Sequence, residues 1–456
     1  MVSFQNIPIY SCLFLINIFY SISILEVPLK TIKVKGIPKY RNITKIESGK
    51  KIMLNNTVLF YEEGDSVISN DLLFLANIKV GSNHQEFNLV LDTGSSVLWV
   101  AQYGCAGENA ITHFFNPSDS STSKSTGQSF EIEYGTGYCT GIFYNDNVRY
   151  LSNSDFNMYF GVASRADFLA TGADGIIGLA KSYQQEALSF VHMLKESKVT
   201  DSLAFSFKFE LDVFESDVEG KMYIGRHDDF SKSEVKSCPL VSYKSDTFWA
   251  CQLDSFSIKG SSHEAISSRS TGLIFDTGTN AIFLPMQYLE DIQGKLANFG
   301  CRTYKSNGNY YILCEASGDV PDLNFKFNNQ DLTLPKEYVF TYATTDKKYV
   351  ISSIIFTTED LALIGSVFFY VYHTLFDEEN KELKFILNDG KIGGLSTNDG
   401  KIGGLSTFVI ILIVVASIAT VLIIAYVIYY CVKKRKEQNM LVGNSRNNYS
   451  EPLFNY

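Results

Sequence analysis

The sequence has few of the residues and motifs on which several common enzyme classes depend. Its 456 residues include only six histidines, and none of them lies in an HExxH motif or pairs with another at the sequence spacing of metal ligands. A GxSxG nucleophile elbow and a phosphate-binding P-loop are also absent. These absences argue against a zinc hydrolase, an α/β-hydrolase and a P-loop nucleotide hydrolase. We therefore expect neither a metal nor a cofactor.

Positive charge is also scarce. The 39 Lys and Arg are outnumbered by 49 Asp and Glu, which gives a net charge of −10, and the central region has no basic cluster interleaved with aromatic residues. A chain of this kind is not suited to binding nucleic acid. Its hydrophobic content of 45% is ordinary for a globular protein, so the chain is expected to fold, and its length allows two or three domains.

Prolines number only nine, whereas Tyr, Phe, Ile and Asn are frequent, and this composition favours β-strands. From about residue 67 to 387, short alternating or apolar runs are separated by Gly, Asn, Asp and Ser, as in FEIEYGTGYCTGIF. Such runs predict strands and hairpins. Only two segments, roughly 184–197 and 286–298, predict helices. The expected fold class is therefore all-β with a minor helical content.

Apolar segments lie on both sides of this β-rich region. Residues 1–25 predict a signal peptide, although no Lys or Arg precedes the apolar stretch and an uncleaved anchor is the alternative. Residues 408–432 are uncharged and followed at once by KKRK, which predicts a transmembrane helix with a cytosolic tail at 433–456. The decapeptide NDGKIGGLST occurs twice over 388–407 and predicts a flexible Gly-rich stem. We therefore expect a single-pass type I membrane protein whose main part is lumenal or extracellular.

Six of the eight cysteines lie between these terminal segments. None of them forms a CxxC pair, so disulfides in an oxidising compartment are favoured over zinc binding. Cys238 and Cys251 flank a segment, CPLVSYKSDTFWAC, that predicts a hairpin, and we expect a bridge between its two strands. The other four are Cys105, Cys139, Cys301 and Cys314.

One motif occurs twice and carries most of the chemistry. LVLDTGSS at 89–96 recurs as LIFDTGTN at 273–280, with 184 residues between the two aspartates. Each copy is followed further along the chain by an apolar-apolar-Gly triplet, at 176–178 for the first and at 363–365 for the second. The repetition predicts two related lobes, and a coincidental pair of Asx turns is the alternative.

Across roughly 67–387 the chain resembles the pepsin family of aspartic proteases. Other family motifs follow in the expected order: LWV at 98–100, EYGTG at 133–137, ADGIIGLA at 173–180, PDLNFKF at 321–327 and ALIGSVFFYVYHTLFD at 362–377. The resemblance implies a bilobal fold, with an N-lobe at about 67–240, a C-lobe at about 241–387 and an active-site cleft between them. It also implies a monomeric catalytic domain that cleaves proteins or peptides. Some members are membrane-bound, and the motifs and composition also resemble those of the parasite plasmepsin group.

The resemblance assigns Asp92 and Asp276 as the catalytic pair, one from each lobe. Hydrolysis of a peptide bond without a covalent intermediate needs a base to deprotonate water and an acid to protonate the carbonyl. Two carboxylates that share one proton supply both, because like charges a few ångströms apart do not both ionise easily. The supporting residues implied are Thr93, Gly94, Ser95, Thr277, Gly278 and Thr279.

Each supporting residue has an expected role. The two glycines allow the backbone N–H groups to approach the carboxylates. The two threonines that follow the aspartates are expected to hydrogen-bond across to the opposite lobe. Ser95 and Thr279 are expected to place hydroxyls beside the outer carboxylate oxygens. Asn280 replaces a Ser common in the family, and Val97 replaces a frequent Asn.

The segment EYGTG is the expected flap over the cleft. By the resemblance, the Tyr134 phenol reaches the indole of Trp99 and closes the flap, whose tip comprises Gly135, Thr136 and Gly137. Phe168 is a further expected wall of the substrate pocket. The alternatives are a buried cross-strand position for Tyr134 and ordinary core packing for Phe168.

The resemblance also bears on the disulfides. Cys301–Cys314 matches a pair in the family's second lobe. Cys105 lies where the family often closes a small loop, but its near partner is missing, which leaves Cys139, beside the flap, as the expected partner.

The basic segment at 26–51, within the region 26–66, resembles the family's propeptide. It has eight basic and two acidic side chains, or +6, whereas residues 66–387 have 24 Lys and Arg and 40 Asp and Glu, or −16. Their attraction at neutral pH weakens as carboxylates protonate between about pH 5 and 3. We therefore expect a zymogen released by acid, and a solvated basic tail is the alternative.

Two functions from different classes stay open at this point. One is an active, membrane-anchored endopeptidase, for which the anchor favours a processing role over a degradative one. The other is an inactive family member that serves as a membrane-bound peptide-binding or adhesion module. Both aspartates, both glycines and the flap tyrosine are present, which favours the active enzyme.

Overall fold

The computed structural model describes residues 25–33, 43–47, 50–54, 72–107, 111–134, 137–150, 155–167, 173–182, 189–210, 219–232, 234–259, 266–306, 309–343 and 348–388. The predicted signal peptide up to residue 24 and the stem, transmembrane helix and cytosolic tail from residue 389 lie outside these ranges. Within the ranges, no helix is both long and apolar enough to cross a membrane.

Strands dominate the described residues, which agrees with the all-β prediction. In chain order they are β1 Leu25–Lys33, β2 Ile43–Glu47, β3 Lys50–Leu54, β4 Leu72–Val80, β5 Gln85–Asp92, β6 Trp99–Ala106, β7 Lys124–Tyr134, β8 Gly137–Arg149, β9 Phe156–Ala166, β10 Gly175–Gly178, β11 Ala204–Glu210, β12 Glu219–Ile224, β13 Lys236–Pro239, β14 Ala250–Ile258, β15 Ile266–Phe275, β16 Ile282–Pro285, β17 Cys301–Ser306, β18 Asn309–Glu315, β19 Leu323–Phe327, β20 Gln330–Leu334, β21 Phe340–Tyr342, β22 Tyr349–Thr357, β23 Leu363–Ile364, β24 Tyr372–Asp377 and β25 Glu382–Leu387.

The α-helices of the described residues are short: α1 Phe190–Glu196, α2 Leu289–Leu296, α3 Lys336–Val339 and α4 Ser366–Val371. The helix predicted at 286–298 is α2, which is continued by 3-10 turns on both sides. The helix predicted at 184–197 is α1, and it begins at Phe190. The pattern of the sequence did not predict α3 and α4, because helices of four and six residues are too short to show a 3.6-residue period.

The first copy of the repeated motif lies in a sheet with the strand order β4, β5, β10, β6, β9, β8, β7. β5 is internal: β10 runs parallel to it on one edge and β4 antiparallel on the other. Phe87, Leu89 and Leu91 of β5 are fully buried. A strand enclosed in this way has few polar positions, which explains the apolar run before the first DTG.

The second copy lies in a ten-stranded sheet with the order β17, β18, β22, β16, β23, β15, β14, β19, β20, in which β21 pairs with β22. β23 runs parallel to β15 here, just as β10 runs parallel to β5 in the first sheet. The predicted internal repetition is therefore present in the strand pairing.

An inter-lobe sheet connects the two halves, with the order β13, β25, β24, β11, β12, β1. β11 comes from the first half and pairs antiparallel with β24 from the second. β1 pairs with β12 through residues 25–29 and with β4 through residues 30–33, so it joins this sheet to the first one. Part of the predicted propeptide is thus an internal strand of the structure.

Aromatic side chains fill the space between the halves. Phe205 of β11 stacks on Phe376 of β24 with ring centroids 4.8 Å apart, and Trp249 packs edge-on against both. The Trp249 indole N–H also donates a hydrogen bond of 2.9 Å to the carbonyl of Leu179. Buried aromatic pairs of this kind add stabilisation beyond their buried area. The halves therefore share one continuous core.

Two of the predicted disulfides are present. Cys301–Cys314 joins paired residues of β17 and β18. Cys238–Cys251 is also bridged, and the segment between them folds back as predicted, with an antiparallel bridge between Leu240 and Cys251. Cys238 lies on β13 of the inter-lobe sheet and Cys251 on β14 of the ten-stranded sheet, so this bridge ties one sheet to the other.

The predicted bridge between Cys105 and Cys139 is wrong for this structure, since both cysteines are free. Cys105 is on β6 and Cys139 on β8, and β9 runs between these strands. Burial raises the pKa of the Cys105 thiol to about 11, so it is a poor nucleophile.

Candidate active site

The two DTG segments leave their sheets at equivalent points. Asp92 is the last residue of β5, and its carbonyl accepts a hydrogen bond of 2.7 Å from the N–H of Leu179, just after β10. Asp276 follows β15 directly, and its N–H donates at 3.0 Å to the carbonyl of Ile364 on β23. The triplets identified downstream of each DTG are thus the parallel partner strands that hold the aspartates in place.

Thr93 and Thr277 hold the two loops against each other, as the resemblance implied. The N–H of each threonine donates to the hydroxyl of the other, at 3.1 and 2.9 Å. Each hydroxyl then donates at 2.8 Å to a carbonyl of the opposite half, Phe275 for Thr93 and Leu91 for Thr277. Both threonines are fully buried. These four bonds fix the relative position of the two aspartates.

The glycines lie where no side chain fits. A Cβ at Gly94 would be 2.7 Å from Asp276 Oδ1, and a Cβ at Gly278 would be 2.4 Å from Asp92 Oδ1. The same point at Gly278 is 3.3 Å from Asp276 Oδ1, so both carboxylates face one small volume. Each glycine N–H also donates at 2.9 Å to Oδ1 of its own aspartate.

The two aspartates have different surroundings. The Asp92 side chain is buried, and the Ser95 hydroxyl donates to its Oδ2. Asp276 is half-buried beside the exposed Gly278. The N–H of Thr279 bonds to the Asp276 carbonyl at 3.4 Å, and the role expected for its hydroxyl stays a prediction.

The expected contact of the flap is present. Trp99 Nε1 donates a hydrogen bond of 2.8 Å to the Tyr134 hydroxyl, and both side chains are buried. Tyr134 ends β7 and pairs with Gly137 at the start of β8, while residues 135, 136 and 168 lie outside the described ranges. Burial raises the pKa of the Tyr134 phenol well above its ordinary value, with further contributions from nearby Cys139 and Asp92. The phenol therefore stays neutral and keeps its proton.

Two carboxylates that face one small volume are the groups needed for acid–base hydrolysis. Comparison with known proteins identifies the family. The sequence model of the family described as "Asp: Eukaryotic aspartyl protease" matches residues 73–387. The chain belongs to this family.

Individual relatives agree with this membership. This aspartyl protease is 31% identical over 325 residues to pepsin II-2/3 of Oryctolagus cuniculus, which covers 69% of this chain and 80% of the relative. It is 28% identical over 380 residues to gastricsin of Rattus norvegicus, covering 79% and 94%. It is 29% identical over 319 residues to embryonic pepsinogen of Gallus gallus, covering 69% and 80%. The expectations of pepsin-family membership and of an aspartic endopeptidase are confirmed, while the likeness to plasmepsins stays a prediction.

One anchoring residue of the aspartyl protease was not singled out from the sequence. Asp174 is fully buried, and its carboxylate accepts bonds from the N–H groups of Asn88, Thr112 and His113, at 2.9, 3.2 and 2.9 Å. It thereby holds the segment that starts at 111 against β5. In the sequence, Asp174 could have been recognised as the one charged residue of the otherwise apolar motif ADGIIGLA.

Proposed function

We propose that Asp92 and Asp276 are the catalytic pair of this aspartyl protease and that they cleave peptide bonds by activating water. The observation that carries the proposal is the convergence of both carboxylates on the volume beside Gly94 and Gly278. The carboxylates come from different halves of the chain, and the paired threonines maintain their spacing.

The reaction follows from one proton shared by two carboxylates. The ionised carboxylate removes a proton from water as the water oxygen bonds to the peptide carbonyl carbon, and the protonated carboxyl gives its proton to the carbonyl oxygen. When the diol collapses, the C–N bond breaks, one hydroxyl gives its proton to the ionised carboxylate, and the protonated carboxyl gives its proton to the leaving nitrogen, so that an amine and a carboxylic acid are released. The pair ends with one proton, as it began. The hydroxyl of Ser95 donates to Asp92 Oδ2 and so helps to orient that carboxylate.

Tyr134 serves substrate closure in this proposal. Its hydrogen bond to Trp99 and its position at the end of β7 support a flap that is held near the first DTG loop. A closed flap excludes water from the cleft and strengthens the electrostatic interactions inside it. Gly135, Thr136, Gly137 and Phe168 complete the proposed flap and pocket.

The decisive test compares Asp92→Asn and Asp276→Asn with the matched control Asp155→Asn in the full-length chain. Asp155 is a surface residue paired with His84 and Arg149. Cleavage of a peptide library between pH 3 and 7 should fall about 10²–10⁴-fold in the first two variants and stay unchanged in the control. Thermal unfolding shows whether each variant folds. Near-normal turnover by either DTG variant would refute the assignment, and a wild-type chain that binds peptides without cleaving them would support the inactive binding module.

The region 26–66 is proposed to be a propeptide. Its net positive charge is attracted to the net negative charge of residues 66–387. β1 is also hydrogen-bonded along both edges, to β12 and to β4. Acid weakens the charge attraction but leaves backbone hydrogen bonds, so release requires cleavage as well as acid. The full-length chain held at pH 4, at which carboxylates begin to protonate, should acquire a new N-terminus between about residues 52 and 70. It should not do so at pH 7 or with Asp92→Asn. A chain that stays uncleaved at pH 4 and is active at pH 7 would contradict this maturation.

The membrane topology belongs to the proposal as well. Residues 408–432 are proposed to anchor the enzyme, with the catalytic region lumenal or extracellular and residues 433–456 in the cytosol. An enzyme and a substrate held in one membrane gain effective concentration, which favours a processing role. Resistance to alkaline extraction that is lost on removal of 408–456 tests the anchor, and complete extraction of the intact chain would contradict it.

A further inference from the structure

The histidines are scattered along the sequence, but the fold brings two of them together at the inter-lobe sheet. His227 lies just after β12 and precedes a 3-10 helix, Asp228–Ser231, that contains Asp229. His373 lies on β24, in the other half of the chain. One nitrogen from each histidine and one carboxylate oxygen of Asp229 all lie within 4.8 Å of one another.

The separations of these atoms are close to those of metal ligands. Asp229 Oδ2 is 3.4 Å from His227 Nδ1 and 3.8 Å from His373 Nδ1. Zinc binds nitrogen and oxygen at about 2.0–2.2 Å in a tetrahedral arrangement, which separates two ligand atoms by roughly 3.3 Å. The two distances to Asp229 Oδ2 exceed this value by no more than about half an ångström, and the two histidine nitrogens lie within 4.8 Å of each other.

Hydrogen bonds orient both imidazoles. His373 Nε2 lies 2.9 Å from the buried Ser206 hydroxyl. In the tautomer in which Nε2 donates to Ser206, Nδ1 is unprotonated and presents its lone pair on the side of Asp229. Metal-binding histidines are commonly oriented in this way through their second nitrogen. His227 Nδ1 accepts a bond of 3.2 Å from the Asp229 N–H, so it is unprotonated, and a metal on this nitrogen has to replace that bond.

Lysine ammonium groups supply the positive charge at the cluster. Lys208 Nζ is 3.3 Å from Asp229 Oδ2, and Lys232 contacts Oδ1. Both lysine side chains are partly exposed and can turn into solvent. A cation therefore already lies beside Asp229 Oδ2, and a metal ion has to compete with the Lys208 ammonium for this oxygen.

The cluster borders a cavity of about 320 Å³, whose walls include Asp229, His373, Glu234 and Asn388. Among the described residues, the buried Asn388 Oδ1 has no hydrogen-bond partner. A buried polar atom of this kind favours an additional polar occupant. The cavity has room for a water molecule, and Glu234 provides a second carboxylate on its wall.

We propose that His227, Asp229 and His373 bind a divalent transition metal, with Zn²⁺ as the best fit to a ligand set of two imidazoles and one carboxylate. Water or Glu234 completes the coordination. The metal ties the turn after β12 to β24, and so joins the two halves of the chain at a site that the catalytic pair does not use.

The test is a ZnCl₂ titration of the full-length chain in detergent at pH 7.4, prepared without a polyhistidine tag and treated with a chelator first. Calorimetry should show one equivalent bound, and the same addition should raise the melting temperature. His227→Gln, at a partly exposed position, should weaken binding at least about tenfold. Lys208→Met should strengthen it, because the competing ammonium is removed.

His84→Gln is the matched control, since His84 pairs with Asp155 alone among the acidic groups of the described residues. It should bind zinc like the wild type. Equal zinc affinity in the wild type and His227→Gln would overturn the proposal. It would also be overturned if neither the wild type nor Lys208→Met bound zinc at about 100 µM ZnCl₂. Peptidase activity is not the readout, so failure here is distinct from failure of the catalytic assignment.

Discussion

Asp92 and Asp276 occupy equivalent places in two loops that differ in what surrounds them. In both loops the glycine N–H donates to Oδ1 at 2.9 Å, and a threonine bonds across to the other half. Around the first loop lie the Ser95 hydroxyl and the Tyr134–Trp99 pair, whereas the second loop contains the exposed Gly278. The backbone is thus nearly symmetric while the environment is not.

The largest expected effect comes from substituting the glycine that each loop places against the opposite aspartate. Gly94→Ala and Gly278→Ala each place a methyl group within 2.7 or 2.4 Å of the opposite aspartate's Oδ1. The displaced carboxylate should lower kcat/KM by about a hundredfold or more. Gly294→Ala is the control, because a Cβ there meets no atom within 4 Å. Peptidase assays with thermal melts check the result, and equal activity in all three variants would contradict the close approach.

The next effect concerns stability. Thr93→Val and Thr277→Val each remove a hydroxyl that both donates and accepts a buried hydrogen bond. Each should lower the free energy of unfolding by about 1–3 kcal/mol. The double variant should lose less than the sum, since the bonds are shared. Urea unfolding measures this, with the Ser variants as controls that retain the hydroxyl. Full additivity would show that the two threonines act independently.

A smaller effect sharpens the difference between the loops. Ser95→Ala removes the hydroxyl that donates to Asp92 Oδ2 and should lower kcat/KM by about tenfold, as expected for a hydrogen bond to a charged group. Thr279→Ser keeps a hydroxyl and should have little effect, while Thr279→Ala tests the role expected at the second loop. If Thr279→Ala costs as much as Ser95→Ala, the two loops are functionally symmetric despite their surroundings.

The flap should show a weaker effect still. Tyr134→Phe removes only the hydroxyl that accepts the bond from Trp99. The net contribution of such a bond is about 0.5–1.5 kcal/mol, so we expect a change of a few-fold in kcat/KM. Steady-state kinetics on one peptide substrate check this, with Tyr103→Phe at an exposed tyrosine as the control. An unchanged kcat/KM in Tyr134→Phe would argue against a role for this bond in closure.

The smallest effect again compares two carboxylates of one kind in unequal surroundings. Burial raises the pKa of Glu378 above its usual 4.5, although Lys181 opposes the shift. For Glu379, burial also raises the pKa, but hydrogen bonds from Lys195 and Arg226 lower it further, so the net pKa is below 4.5.

The two shifts have opposite consequences for stability. The contribution of Glu378 is fully present below about pH 4.5, the usual pKa, and is lost as the pH rises through its raised pKa. The contribution of Glu379 is present above that pH and is lost as the pH falls through its lowered pKa. Glu378→Gln should therefore gain stability relative to the wild type between pH 3 and 7, and Glu379→Gln should lose it. Urea unfolding at both pH values checks the signs, and parallel changes would contradict them.

Much of the candidate site could be predicted from the sequence because its chemistry depends on local motifs. A DTG after an apolar run predicts an enclosed strand that ends on a carboxylate, whereas the bonds of the threonines to the opposite half followed from the family resemblance. The triplets at 176–178 and 363–365 could be recognised as partners because the motif recurs at similar spacing. The bond from Trp99 to Tyr134 and the bridge between Cys301 and Cys314 followed from the family resemblance.

What only the tertiary structure decided concerns residues brought together from distant parts of the chain. Cys105 and Cys139 are both available in the sequence, and only the structure shows that both remain free thiols. The sequence marks 26–51 as a basic segment, but the place of β1, Leu25–Lys33, between β12 and β4 depends on which strand edges are open. His227 and His373 meet because β11 pairs with β24. Short motifs determine local geometry through sterics and backbone hydrogen bonds, whereas strand order is set by the whole core and has no local signature.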